Sequence, residues 1–219
     1  MNPAFELSEY QRRLAKVRSA MSDKELDALV IGDPANMNWL TGFDAWSFYV
    51  PQVMLVLHDH PPVWLGRQMD AGSVLLTTHL GAESVRPYAE DLVQRDGVHP
   101  MDAIGTSLAE FHLEGKRIGF ESDTYFFSFK AVERLQTKLS GAIWVDADLL
   151  VNWCRAVKSD VEIEVMRGAA RIASHVMTLA CEHIAPGVRQ CDLVSKVLAA
   201  QVSGVDGLGG DTTALCPLI

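Results

Sequence analysis

The sequence has no apolar run of the eighteen or so residues that a membrane-spanning helix needs, and its longest apolar segments, such as 53–57, have the length of strands. Its first residues lack the basic segment and the apolar segment of a secretory signal. Basic residues are also few, since 19 Lys and Arg against 28 Asp and Glu give a net charge of −9. This charge disfavours nucleic-acid phosphate and anionic membranes as partners. We therefore expect a cytoplasmic protein that binds neither nucleic acid nor membrane.

Several patterns that carry chemistry are missing. The glycine-rich run 204–210 lacks the G-x-G-x-x-G order of a dinucleotide loop, and no serine lies in a G-x-S-x-G turn. His58-Asp59-His60 offers two imidazoles and a carboxylate to a metal, but two prolines follow at once and favour an exposed turn. The cysteines are Cys154, Cys181, Cys191 and Cys216. None belongs to a CxxC pair, which favours reduced thiols over a structural zinc site. The sequence therefore predicts neither a metal site nor a catalytic residue within this chain.

What the sequence does contain is an alternation of short strands and helices. With 48% hydrophobic and 21% charged residues, the composition is that of a globular protein with a sizeable core. The opening helix has apolar residues at three- and four-residue steps, and Ser8 and Gln11 are spaced as in a capping box. The alternation predicts an open α/β sheet with covering helices. We expect strands at 27–31, 53–57, 62–65, 84–85, 117–120 and 142–145, and helices at 7–21, 102–113 and 128–139.

The pattern changes after Asp146. Ser159 and Glu162 form a second capping box ahead of a helix that continues for about six turns, until Pro186-Gly187 ends it. A further helix at 192–203 and a strand-like segment at 212–216 follow. Two helices and one strand do not close a domain. We therefore expect one domain at 1–147, and a linker with the start of a second, truncated domain at 148–219.

The segment from Trp39 to Tyr49 holds two Trp, two Phe and a Tyr around a Gly and an Asp. For Trp39 and Phe43 we favour packing in the core beneath the sheet. For Trp46, Phe48 and Tyr49 two interpretations remain open. They belong to the core, or they lie on a partly exposed loop whose aromatic faces suit a small cationic or zwitterionic ligand.

Two motifs carry a resemblance to a known family. Residues 155–172, from Arg155-Ala-Val-Lys-Ser to Ile172, resemble the hinge that opens the catalytic domain of the creatinase and X-prolyl peptidase (M24) family. Asn36-Met-Asn-Trp-Leu-Thr-Gly42 resembles the N-x-x-Y-L-T-G element of that family's N-terminal domain. The resemblance implies a creatinase-type N-terminal domain with a mixed sheet and covering helices. The first helices of an α+β pita-bread domain would follow it.

Within the family, residues 43–52 and 66–72 are most similar to the ectoine hydrolases, which open the cyclic amidine of ectoine to N-acetyl-L-2,4-diaminobutyrate. This resemblance implies a small zwitterionic substrate, ectoine or hydroxyectoine, with Trp46, Phe48 and Tyr49 as substrate-binding residues. A creatinase would carry an arginine for the substrate carboxylate where this chain has Val50. That difference disfavours creatine and leaves open which group binds the carboxylate.

The family's catalytic histidine and metal ligands correspond to positions beyond Ile219, so we expect an N-terminal fragment that is inactive alone and holds no cofactor. A full-length enzyme would need two divalent metals only if it were a peptidase. The resemblance also implies a homodimer in which the N-terminal domain reaches over the partner's active site. Alternatives are an X-prolyl dipeptidase or aminopeptidase, a creatinase-like amidinohydrolase, and a stand-alone binding protein.

Overall fold

The computed structural model describes residues 3–44, 47 and 49–209, in two compact units, Met1–Ala156 and Val157–Ile219. Trp46, Phe48 and the predicted strand at 212–216 lie outside the described residues. In the first unit, helices and strands alternate as the sequence predicts. Its strands are β1 (Ala28–Ile31), β2 (Val53–Leu57), β3 (Val63–Arg67), β4 (Val85–Tyr88), β5 (Arg117–Phe120) and β6 (Ile143–Asp146). Its α-helices are α1 (Leu7–Asp23), α2 (Pro34–Thr41), α3 (Ala71–Thr77), α4 (Pro100–Ala109), α5 (Phe129–Lys138) and α6 (Leu150–Ala156).

The strands form one six-stranded sheet in the order β4-β3-β2-β1-β5-β6. Strand β2 is antiparallel to both of its neighbours, β1 and β3. The pairs β1–β5, β5–β6 and β3–β4 are parallel. This mixed sheet with covering helices confirms the predicted fold class.

Helices cover both faces of the sheet, which explains why β1 is buried along its whole length. Leu29 and Ile31 face a core that also includes residues of α1, α2, α3 and α6. Ala28 and Val30 face the opposite core, beneath α4 and α5. The prediction that Trp39 and Phe43 are core residues is confirmed. Their exposed fractions are 8% and 1%.

Two helix starts differ from the predictions. Helix α1 begins at Leu7 with Glu6 as its N-cap and no side-chain cap, so the capping box predicted at Ser8 and Gln11 is wrong. The helix starts two residues too early for the Ser8 hydroxyl to occupy the cap position. Helix α2 has no counterpart among the predicted elements, because a proline close after a buried strand favours the end of that strand over the start of a helix. Pro34 instead occupies the first turn, where a missing N–H costs nothing, and the Asp33 carboxylate accepts hydrogen bonds from Ala35 N and Asn36 N.

The compact units divide after Ala156, nine residues later than the predicted boundary after residue 147. The difference arises from α6, which packs in the same core as Val17 of α1 through Val151 and Cys154. Lys16 of α1 also donates a hydrogen bond of 2.6 Å to the Cys154 carbonyl. These contacts tie 150–156 to the first unit. That the second unit begins a catalytic domain remains a prediction.

The second unit contains α7 (Asp160–His183) and α8 (Gln190–Ser203). The predicted capping box is present, with Ser159 bonded to the backbone of Glu162 and the Glu162 side chain bonded in return. Within the described ranges, no helix is both long and apolar enough to cross a bilayer. The helices share a small core of Val176, Leu193, Val197 and Ala200. Free thiols among the described residues are Cys154, which is buried, and Cys181 and Cys191, which are exposed.

Candidate substrate-binding edge of the sheet

Loops that carry charged and hydrogen-bonding side chains meet at one edge of the sheet. All strands except β2 end there, and β2 begins there because it runs in the opposite direction. In open α/β sheets, ligands bind outside the carboxyl ends of the strands. This carboxyl edge carries the loop before β2 and the residues that follow β1, β3, β4 and β5.

Tyr49, in the loop before β2, is 52% exposed. Its hydroxyl accepts a hydrogen bond of 3.3 Å from Nη1 of Arg67, the last residue of β3. Of the predicted substrate-binding residues, the structure therefore describes Tyr49, on a partly exposed loop. Its role in binding remains a prediction, as do the roles of Trp46 and Phe48.

Arg67 also forms an ion pair that sequence reasoning did not identify. Its Nε donates to Oε2 of Glu90 at 2.5 Å, and Oε1 of Glu90 accepts a 2.9 Å bond from Met69 N. The hydrogen bond from Arg67 lowers the pKa of Glu90, so both groups are charged at neutral pH. Asp70 interacts electrostatically with both Arg67 and Glu90, and burial raises the pKa of its carboxyl group.

The register of β3 and β4 explains this pairing. Arg67 lies opposite Tyr88 in the parallel ladder, which brings Glu90 beside the end of β3 although it lies 23 positions along the chain. Arg67 belongs to the Gly66–Gly72 segment that resembles the ectoine hydrolases, and this motif could have identified it. Glu90 has no comparable local pattern.

Tyr49 also lines a cavity of about 380 Å³. Its walls combine aliphatic and aromatic side chains with the polar side chains of Gln94, Arg95, His99 and Ser128. The Tyr88 hydroxyl donates a 2.7 Å hydrogen bond to the Pro51 carbonyl and so fixes the loop that forms one wall. Residues that line the cavity include Tyr49, Val50, Leu92, Val98, His99 and Tyr125.

A second polar cluster occupies the same edge between β1 and β5. Glu121, which follows β5 and is 2% exposed, accepts hydrogen bonds at Oε2 from Gly32 N at 3.0 Å and Asp33 N at 3.1 Å. Its Oε1 accepts one from Asn36 Nδ2 at 2.5 Å. The Asn36 oxygen in turn accepts a 2.6 Å bond from Arg155 Nη1. Asn36 is the first residue of the N-x-x-Y-L-T-G element, so this motif joins β1, β5 and α6. The cluster therefore links the ends of β1 and β5 to α2 and α6.

This cluster makes folding stability depend on pH. Burial raises the pKa of Glu121 to about 7, although three N–H donors oppose the shift. Between pH 4.5 and 7, roughly, the folded chain therefore holds a proton that the unfolded chain has released. Stability should fall by about 3 kcal/mol as pH rises through this window. Urea unfolding at pH 5 and pH 8 should show this loss in wild type but not in Glu121→Gln, and equal losses in both proteins would contradict the prediction.

The His58-Asp59-His60 segment forms the predicted turn between β2 and β3, and His58 Nε2 lies 2.9 Å from the Leu26 carbonyl. No cluster of three or more metal-ligating side chains occurs in the part of the chain that the structure describes. A cavity of about 460 Å³ lies at this end of the sheet. Its Arg18 guanidinium already donates to the carbonyls of Leu57 and His60.

A model of the creatinase/prolidase N-terminal domain matches residues 13–157. The chain belongs to the creatinase/prolidase family. The match covers the sheet and the covering helices described above, including the carboxyl edge. Both motifs on which the sequence resemblance rests, 36–42 and 155–172, begin within it.

Two relatives in this family have high identity. The chain is 41% identical to the ectoine hydrolase of Halomonas elongata over 98% of its own length and 55% of the relative. It is 40% identical to an uncharacterized hydrolase/peptidase, y4tM, of Sinorhizobium fredii over 94% of its length and 53% of the relative. The crystal structure of a prolidase from Thermococcus sibiricus superposes with a TM-score of 0.72 at 15% identity, over 94% of this chain and 52% of that one, which shows a shared fold. The chain spans about half the length of the curated relatives it matches.

Proposed function

We propose that this chain is the N-terminal part of an enzyme that hydrolyses a C–N bond in the cyclic amidine of ectoine. The observation that carries the proposal is the constellation of Tyr49, Arg67 and Glu90 at the carboxyl edge. It combines an aromatic face with one cation and one anion, which complements a small ring bearing an amidinium and a carboxylate. The two segments that resemble the ectoine hydrolases, 43–52 and 66–72, supply Tyr49 and Arg67.

In this proposal the chain binds and orients the substrate, and the groups that carry the chemistry lie beyond Ile219. Hydrolysis adds one water to the amidine carbon and breaks one ring C–N bond, which gives N-acetyl-L-2,4-diaminobutyrate. The first unit would act over the active site of a partner subunit in a homodimer. Aromatic walls at the carboxyl edge would then exclude water from one side of the substrate.

A second candidate is an X-prolyl dipeptidase or aminopeptidase. Similarity to the S. fredii hydrolase/peptidase is nearly equal to that to the ectoine hydrolase, and the prolidase shares the fold. A dimetal peptidase would carry five carboxylate and imidazole ligands downstream of Ile219, whereas a metal-free hydrolase would have other residues at those positions.

The test uses the product of the native gene and the 219-residue chain side by side. Intact mass measures the length of the product, and NMR follows ectoine and an X-Pro dipeptide in the same samples. We expect a mass clearly above 24.1 kDa, ring opening by the gene product and no turnover by the 219-residue chain. Hydrolysis of the dipeptide without ring opening would favour the peptidase, and clear ring opening by the 219-residue chain would refute the division of roles.

A further inference from the structure

Arg67 is more buried than the arginines of two other ion pairs that involve β4 or the segment after it. The Arg67 side chain is 18% exposed. The side chain of Arg86, which lies on β4 and pairs with Glu110, is 45% exposed, and that of Arg95, which pairs with Asp91, is 62% exposed. Arg67 is also held by Tyr49, whose ring forms part of the 380 Å³ cavity. A cation and an anion in contact are therefore fixed next to Tyr49, which lines this cavity.

We propose that Arg67 and Glu90 exchange their mutual ion pair for the two charges of a zwitterionic ligand. Arg67 binds the ligand carboxylate, Glu90 binds the cationic group, and the Tyr49 ring packs against the ligand ring. The identity of the ligand as ectoine rests on the proposed function. The inference supplies the carboxylate-binding group that the sequence left open, because Val50 is an apolar residue buried in the core.

The hydrogen bonds of the pair allow this exchange. Arg67 uses Nε for Glu90 and Nη1 for Tyr49, and a guanidinium has further N–H groups that can bind a carboxylate in a bidentate fashion. Glu90 keeps its bond from Met69 N when Arg67 turns to a ligand, so its carboxylate stays in place. The Glu90 side chain is 43% exposed, so water can solvate its carboxylate as Arg67 turns to the ligand, and opening the pair costs little.

The charge of the cluster favours a zwitterion over a simple anion. Arg67 contributes one positive charge, whereas Glu90 and Asp70 contribute two carboxylates. Each carboxylate interacts electrostatically with Arg67, and the two also interact with each other. An anionic ligand would compete with these carboxylates for the single guanidinium, and their negative charges would then lack a neighbouring positive charge. A ligand that brings its own cation compensates them. The cluster therefore selects for ligands that carry both charges.

The test measures binding by calorimetry and turnover by NMR on the native gene product. The ligands are ectoine and its carboxamide analogue, which lacks the negative charge. Arg67→Met should raise the Kd for ectoine by about 10- to 100-fold and abolish the preference for ectoine over the carboxamide. The matched control, Arg86→Met, removes an arginine from an ion pair on the adjacent strand and should change neither Kd by more than about twofold. Circular dichroism verifies that the variants are folded.

Glu90→Gln gives a second and opposite effect. This variant should bind ectoine more weakly but bind cyclohexanecarboxylate, a ring with a negative charge alone, more tightly, because Arg67 loses its internal competitor. A purely structural ion pair would change both affinities in the same direction. Weaker binding of both ligands would therefore overturn the partner exchange.

The outcomes separate this inference from the proposed function. If wild type opens ectoine and Arg67→Met leaves its Kd unchanged, the exchange is wrong and the proposed function stands. If wild type binds ectoine through Arg67 without opening it, the binding site stands and the proposed reaction is wrong. If wild type neither binds nor opens ectoine, both are wrong.

Discussion

Replacing Trp39 by alanine should lower the free energy of unfolding by about 3–5 kcal/mol, since it deletes a large side chain from a packed core. Trp39 is 8% exposed and lies in the core that α1, α2, α3 and α6 share with the sheet. It also stacks on the guanidinium of Arg13, whose Cζ lies 5.4 Å from the indole centroid, and that contact is lost as well. Urea unfolding followed by circular dichroism measures the change.

Trp153→Ala is the matched control, because it makes the same substitution at a tryptophan that is 71% exposed. It should alter stability by less than about 1 kcal/mol. Tyr49→Ala should likewise leave stability nearly unchanged but weaken substrate binding by the native gene product. Equal losses of stability at Trp39 and Tyr49 would refute the division of this aromatic segment into a core part and a ligand-facing part.

Asn36→Ala should cost about 3 kcal/mol at pH 8, since it removes the side chain that links Glu121 to Arg155. The Glu121 carboxylate would lose one of its donors while it remains buried, and such charged groups carry the largest penalties when a partner is removed. The loss should be smaller at pH 5, where a protonated Glu121 needs fewer donors. Chemical unfolding at the two pH values measures both effects.

Asn38→Ala, on the same helix, provides the comparison. Asn38 is exposed, and its amide donates a long hydrogen bond of 3.3 Å to the Phe43 carbonyl. Its replacement should cost less than about 1 kcal/mol at either pH. If the two variants lose the same stability, the cluster around Glu121 does not hold the first unit together as described.

Most of the fold could be predicted from local patterns. The strands β2 and β5 and the helices α1, α5 and α7 lie where short apolar runs or helical spacing place them, because each pattern depends on residues near one another in the chain. Helix α2 was predictable in principle from Asp33-Pro34 at its start and Gly42 at its end. The assignment of helix α6 to the first unit was not predictable, since it depends on the packing of residues 150–156 against α1.

The sequence by itself determined the α/β class, the family, the core position of Trp39 and Phe43, and the aromatic loop that contains Tyr49. Only the tertiary structure decided which charged groups meet at the carboxyl edge. Glu121 and Asn36 are 85 positions apart, and Arg67 and Glu90 are 23 apart. Both contacts depend on strand register and on the order of strands in the sheet. Side-chain patterns predict each strand separately, but the pairing of strands is decided by packing across the whole sheet.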